Sequence, residues 1–339
     1  MKRVEIFGHR RAGLVDAPDP EPKGDWALVK VHAAPLCTEY KTFLGDKPAA
    51  YLGHEAAGEV VAVDAPGPVK PGDRVVVMPL TPCGECALCQ ADDYIYCEHV
   101  HDFESVHGSL EGNATLAQYL LKQPWLLLPI PDSLSYEHAS LACCALGPSF
   151  GAFDRMGLAA GETLLIAGAG PVGLGATVNA LFRGARPLVV EPAPWRAERA
   201  RQIGAEVVLD PNDPELMARV KEWTHGLGVD AALDCSGTAA GERTCIDAAR
   251  RRGKVAFVGE NYDQPLTLEV SPDLLRKGLT VFGSWHYNLS LFPAIMQVIQ
   301  ESPKIGLLIS HVLPMAEIQQ AFELCAAAKT AKIILKPWG

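Results

Sequence analysis

Four cysteines, Cys83, Cys86, Cys89 and Cys97, stand at spacings C-x2-C-x2-C-x7-C. Turns that short can aim four thiolates at one tetrahedral Zn²⁺, about 2.3 Å from each sulfur. No coordination position is left open, so the expected role is structural: the metal staples a loop that has little core of its own. An iron–sulfur cluster is the rival occupant, although its common cysteine runs end on a different spacing. Cys37 and the segment Gly53-His54-Glu55 supply a second group of possible ligands. Taken singly each has a plain reading, the cysteine as a small buried hydrophobe and the histidine as a local hydrogen bonder.

A different chemistry is carried by Gly168-Ala169-Gly170-Pro171-Val172-Gly173. It follows the apolar run 163–166 and opens the apolar helical stretch from Leu174 to Phe182. In that context the first glycine (Gly168) permits a tight turn. The second (Gly170) lets a pyrophosphate approach the backbone, and the third (Gly173) lets helix and strand pack closely. The helix N-terminus offers free N–H groups and a positive dipole end to the phosphates. Glu191 closes the next strand, 23 residues after Gly168, near the spacing of about 20 at which a carboxylate accepts hydrogen bonds from the adenosine ribose. A carboxylate there repels a 2′-phosphate, which favours NAD over NADP. Arg196, just beyond, can instead pair with such a phosphate or stack on adenine.

These groups need elements to position them. The chain has 339 residues, 48% hydrophobic and 21% charged, with a net charge of −10. That is material for roughly two domains of about 150 residues each, and it excludes wholesale disorder. Net acidity argues against nucleic acid and anionic membrane surfaces as partners and favours a small molecule. No apolar run approaches the ~20 residues of a membrane span, and the N-terminus lacks a signal-peptide core, so a cytoplasmic protein is expected. Up to about residue 145, short strand-like pieces such as Val4–Phe7, Ala27–Val31, Glu59–Val63 and Arg74–Val77 are punctuated by Pro-Gly turns. From about Gly161, buried-strand runs alternate with helical stretches at 195–203 and 214–224, the pattern of a parallel sheet wrapped by helices. Helices at 291–301 and 315–329 and a closing strand at 332–336 follow.

Taken together, Cys37, Gly53-His54-Glu55-Ala56-Ala57-Gly58-Glu59-Val60, Pro71-Gly72-Asp73-Arg74-Val75, the four-cysteine lobe, the glycine fingerprint and the closing Lys332-Ile333-Ile334-Leu335 resemble the zinc-containing medium-chain alcohol dehydrogenase family from end to end. The resemblance implies an α/β fold in which a Rossmann doubly wound parallel sheet (147–293) is inserted in a β-rich GroES-like catalytic domain (1–146 and 294–339). It implies two Zn²⁺ per chain, one catalytic and one structural, with the active site in the cleft between the domains. It makes Cys37 and His54 ligands of the catalytic zinc. The third ligand, counted back from the fingerprint, falls on Cys144, with Cys143 the neighbouring alternative. Glu55 can enter or approach the coordination sphere when water or substrate exchanges. Such a zinc acts as a Lewis acid on an alcohol oxygen while hydride passes to the nicotinamide.

One segment departs from the family's usual C-x-[S/T]-D. Here it reads Cys37-Thr38-Glu39-Tyr40. Aligned without a gap, Glu39 replaces the proton-relay hydroxyl and becomes a candidate general base. With a one-residue deletion, Thr38 is the hydroxyl and Glu39 the acid. Both registers are open. The activity implied is reversible oxidation of a secondary alcohol, polyol or sugar-like substrate to its carbonyl by NAD. Reduction of an activated C=C or C=N bond, or cofactor binding without turnover, are the alternatives. The family's habit of pairing Rossmann sheets implies a homodimer or homotetramer.

Overall fold

The computed structural model describes residues 1–339 and divides into two compact units. The first comprises Met1–Cys144, Asn288–Gln300 and Ile309–Gly339; the second comprises Ala145–Tyr287 and Glu301–Leu308. The crossings therefore fall at 144/145 and 287/288 instead of the expected 146/147 and 293/294, and the short stretch 301–308 returns to the second unit. Contacts between segments remote in the chain decide such borders, and periodicity does not register them.

The first unit begins with a hairpin of β1 (Lys2–Gly8) and β2 (Arg11–Asp16), followed by β3 (Ala27–Pro35) and the short helix α1 (Glu39–Phe43). β4 (Ala56–Val63) and β5 (Arg74–Val77) come next. A lobe with α2 (Ala87–Gln90) and α3 (Phe103–His107) leads to β6 (Tyr119–Lys122), β7 (Leu127–Pro129) and α4 (Tyr136–Ala139). The second unit runs α5 (Gly147–Met156), β8 (Thr163–Ala167), α6 (Pro171–Phe182), β9 (Arg186–Val190), α7 (Pro194–Ile203), β10 (Val207–Leu209), α8 (Leu216–Trp223), β11 (Val229–Asp234), α9 (Ala239–Ala248), β12 (Ala249–Phe257) and β13 (Thr280–Gly283). The chain then returns through α10 (Phe292–Glu301), β14 (Ile309–Pro314), α11 (Ile318–Ala326) and β15 (Lys332–Lys336). The helix expected over 315–329 is a 3₁₀ turn, Met315–Glu317, leading into the shorter α11.

In the second unit all six strands are parallel, in the order β10-β9-β8-β11-β12-β13. This is the doubly wound order 3-2-1-4-5-6, which places a ligand crevice outside the carboxyl ends of the central strands. Those strands are covered on both faces: Leu164, Leu165, Ile166, Ala231, Ala232 and Leu233 are fully buried. This is why they read as unbroken apolar runs. In the first unit β14-β15-β3-β4-β5-β7 form a sheet, with β6 also on β3. β15 joins antiparallel to β3 through Ile334↔Pro35 and Leu335↔Ala34. Leu36 then donates its N–H to the Ile333 carbonyl at 2.9 Å. The last strand of the chain is thereby laid against residues 34–36, just before Cys37. Phe43 and Phe322 stack at 5.1 Å in the core beneath. No helix is long and apolar enough to cross a membrane.

Candidate metal centres and cofactor loop

The four lobe cysteines converge. Their sulfurs are separated by 4.0 Å (Cys83–Cys89), 3.5 Å (Cys86–Cys89), 3.9 Å (Cys86–Cys97) and 3.6 Å (Cys83–Cys97). A tetrahedron with sulfur about 2.3 Å from its centre has edges of about 3.8 Å, which these four separations match, and all four sulfurs lie within 4.8 Å of one another. The backbone N–H groups of Cys83 and His99 donate to Cys97 Sγ, and that of Cys86 to Cys83 Sγ, each at 3.3 Å. Such donors favour thiolates. Hydrogen bonding from the Cys89 amide, against some burial, helps draw the Cys86 thiol down to about 6, while burial pushes Cys89 up to about 12.

The second set is drawn from three parts of the first unit. β3 ends at Pro35 and delivers Cys37. Gly53, at φ +94°, turns the chain so that His54 and Glu55 precede β4, and a Cβ on it would lie 2.4 Å from Thr115 Oγ1, so only glycine fits. Cys144 follows a 3₁₀ turn, Ser140–Ala142. Ligand atoms of Cys37, His54, Glu55 and Cys144 all lie within 4.8 Å of one another, and Cys144 Sγ is 3.3 Å from His54 Nε2. Cys143 instead points its sulfur at the Val77 carbonyl, 3.5 Å away. Of the two adjacent cysteines, Cys144 is the one brought to the set.

Two carboxylates brace these ligands. Glu39, buried, accepts from His54 Nδ1 at 2.9 Å through Oε1 and from the Cys37 N–H at 2.7 Å through Oε2. Glu55, fully buried, accepts the Cys144 N–H at 3.1 Å through Oε2 and pairs its Oε1 with Lys332 Nζ. Each acid thus holds the amide of one cysteine ligand. Lys332, also fully buried, donates in addition to the Leu36 carbonyl at 3.0 Å. The β15–β3 pairing puts it there. In the sequence it stands only in the closing segment Lys332-Ile333-Ile334-Leu335, and nothing there assigns it a place at this cluster.

The electrostatics suit a cation. A hydrogen bond from Cys144 holds the Cys37 thiol well below its usual range despite burial, with Lys332 and His54 helping. Burial disfavours the His54 cation, but hydrogen bonds to Cys37 and Glu39 win and raise it to about 11. A divalent ion would replace the Nε2 proton while Nδ1–H stays on Glu39, the usual second partner of a metal-bound imidazole. Burial drives the Glu55 carboxyl up to about 7 against the pull of Lys332. Thr38 is exposed beside Cys37. Glu39 has both oxygens engaged, so the free general base expected from an ungapped alignment is not its geometry.

In the second unit, Gly168 follows β8 at φ +91°, and α6 starts at Pro171 with Gly170 as its N-cap. A Cβ on Gly173 would lie 1.8 Å from the Gly168 carbonyl oxygen, so the third glycine is sterically required. Val172 sits in the first turn of α6, whose N-terminal amides face the loop. Glu191, at the end of β9, accepts the Ala169 N–H at 2.5 Å and the Ala193 N–H at 2.8 Å. Arg196 on α7 brings Nη1 to 3.9 Å from where a Gly170 Cβ would be. Fingerprint, acid and arginine therefore share one end of the sheet.

Comparison with known proteins agrees with both units. Residues 23–132 match the alcohol dehydrogenase GroES-like domain, and residues 171–301 match the zinc-binding dehydrogenase domain. The chain is 30% identical to L-threonine 3-dehydrogenase of Pyrococcus horikoshii, covering 98% of this chain and 97% of that protein. It is 32% identical to sorbitol dehydrogenase of Bacillus subtilis, over 85% and 82% respectively. The structure of alcohol dehydrogenase TADH from Thermus sp. ATN1 superposes with a TM-score of 0.88, at 28% identity and 99% coverage of each chain. With this order of metal ligands, lobe and fingerprint, the chain belongs to the zinc-containing medium-chain alcohol dehydrogenase family.

Proposed function

We propose that the protein is a zinc- and NAD-dependent dehydrogenase that interconverts a secondary alcohol, polyol or sugar-like substrate with its carbonyl. The observation that carries this reading is the contrast between the two ligand sets. Four thiolates close the lobe, whereas in the second set the fourth donor beside Cys37, His54 and Cys144 is Glu55, a carboxylate that also pairs with Lys332 and can therefore yield its place to a substrate oxygen. Zinc bound there supplies Lewis acidity that lowers the pKa of a substrate hydroxyl toward neutrality.

The chain's own residues do the rest. Glu39 fixes the His54 tautomer and the Cys37 backbone, so it acts as a positioning residue. With Glu39 so engaged, Thr38 next to Cys37 is the hydroxyl assigned here to accept the alcohol proton and pass it outward. The fingerprint from Gly168 to Gly173 binds the pyrophosphate, with Pro171 and Val172 opening the helix beneath it. Glu191 accepts from the ribose hydroxyls, which selects NAD over NADP, and Arg196 flanks the adenosine side. The names of the threonine, sorbitol and alcohol dehydrogenase relatives support oxidation of a CH–OH group. The test is NADH formation at neutral pH with zinc-loaded protein and a panel of polyols, secondary alcohols and L-threonine. Absence of turnover in both directions with NAD and NADP alike, in protein holding two zincs, overturns the reading.

A further inference from the structure

β8 and β11 are adjacent parallel strands, and both end at the crevice where the fingerprint sits. β11 ends on Asp234, which is fully buried and has no ion-pair partner. Its carboxylate is spent on its own chain. Oδ1 accepts the Ser236 N–H at 3.1 Å and the Ser236 hydroxyl at 2.6 Å, and Oδ2 accepts the Gly237 N–H at 3.1 Å. The Asp234 carbonyl takes the Val258 and Gly259 amides, both at 3.0 Å, and the Cys235 N–H bonds back to Ala167 of β8 at 2.8 Å.

Three glycines from three separate segments close on this turn. A Cβ on Gly168, the first fingerprint glycine, would lie 3.0 Å from Ser236 Cα. One on Gly241 would lie 2.1 Å from Ser236 Oγ and 2.8 Å from Asp234 Oδ1. One on Gly259 would lie 2.2 Å from the Gly237 nitrogen and 2.6 Å from Asp234 Oδ2. Such packing leaves the 235–237 turn one place to stand, and that place is against the loop that must meet a pyrophosphate. An acid buried without a cation is a costly way to shape a turn, which points to a demand beyond stability.

We propose that Asp234 is a positioning residue for dinucleotide binding: it fixes the 235–237 turn as the wall against which Gly168 and the fingerprint loop are set. The inference rests on the cofactor reading above and is tested separately from it. NADH is titrated by fluorescence into wild type, Asp234→Asn and Gly241→Ala. Asn keeps the size but presents an amide N–H to one of the donors; Ala on α9 pushes the turn while the carboxylate stays.

Both variants are expected to raise the NADH Kd roughly tenfold, the scale of losing one hydrogen bond to a charged group. Zinc content should stay at the wild-type level, and KM for NAD should rise by more than kcat falls. Ser236→Ala, which removes only the hydroxyl, should shift Kd by a smaller factor. If wild type binds neither NADH nor NADPH, the cofactor reading fails. If wild type binds and Gly241→Ala binds equally well, Asp234 is merely structural and the inference is overturned, whether or not Asp234→Asn folds.

Discussion

The carboxylate of Glu39 reaches two members of the Cys37–His54–Glu55–Cys144 cluster at once, 2.9 Å from His54 Nδ1 and 2.7 Å from the Cys37 amide nitrogen. A buried acid so placed raises the basicity of the imidazole and fixes its ring plane. Glu39→Gln replaces one acceptor oxygen by an amide nitrogen, so either the His54 or the Cys37 bond is lost. Affinity for the catalytic zinc should fall about 10–100-fold, while the lobe zinc stays. Metal analysis after timed exposure to a chelator reads this directly. Two zincs released at the wild-type rate would remove Glu39 from the metal site's support.

Glu55 and Lys332 are both fully buried and paired. Desolvation makes such a pair a weak source of net stability, but breaking it leaves an uncompensated charge, at about 3–5 kcal/mol. Lys332→Met should therefore cost roughly that much, and Lys332→Met combined with Glu55→Leu clearly less than the sum of the single changes. Urea unfolding of the four proteins measures the coupling. Additive losses would show that the two side chains do not act on each other.

Much of this architecture was legible because it is periodic or local. The apolar runs of β8, β9 and β11, the glycine fingerprint and the cysteine spacing each carry their signal within a few residues. What was not legible depends on register or on distance. Whether Thr38 or Glu39 takes the hydroxyl's place turns on a single residue at the β3–α1 junction, where no alternation exists to set a frame. Cys143 and Cys144 are adjacent and follow a single 3₁₀ turn, so side-chain direction is decided by backbone angles that composition does not report. Lys332 meets Glu55 across 277 residues, through strand pairing that brings β15 to β3.

The lobe offers a test of division of labour between the metals. Cys89 is buried, its sulfur 4.0 Å from that of Cys83 and 3.5 Å from that of Cys86. Cys89→Ser should release one zinc per chain and open the segment 80–100 to limited proteolysis, because a closed site supplies folding energy to a loop without a core. NADH binding should be retained, since the fingerprint belongs to the other unit. Loss of both zincs together would show instead that the lobe and the Cys37 set fold as one.

Lys122 sets a pH dependence of stability. It ends β6, is nearly inaccessible, and donates from Nζ to the Leu80 carbonyl just before the lobe. Burial pushes its ammonium down to about 7, opposed by the Cys143 thiol nearby. An unfolded lysine titrates near 10.4, so between about pH 7 and 10 the unfolded chain holds more protons than the native one, and stability rises with pH across that window. A tenfold difference in proton affinity between the two states is worth about 1.4 kcal/mol. Lys122→Met removes the titration, leaving other groups in common. The stability of wild type relative to the variant should therefore grow by on the order of 2–3 kcal/mol between pH 7 and 9.5. Urea midpoints at the two pH values give the difference, and a gap that does not change with pH would mean that Lys122 keeps its charge in the folded protein.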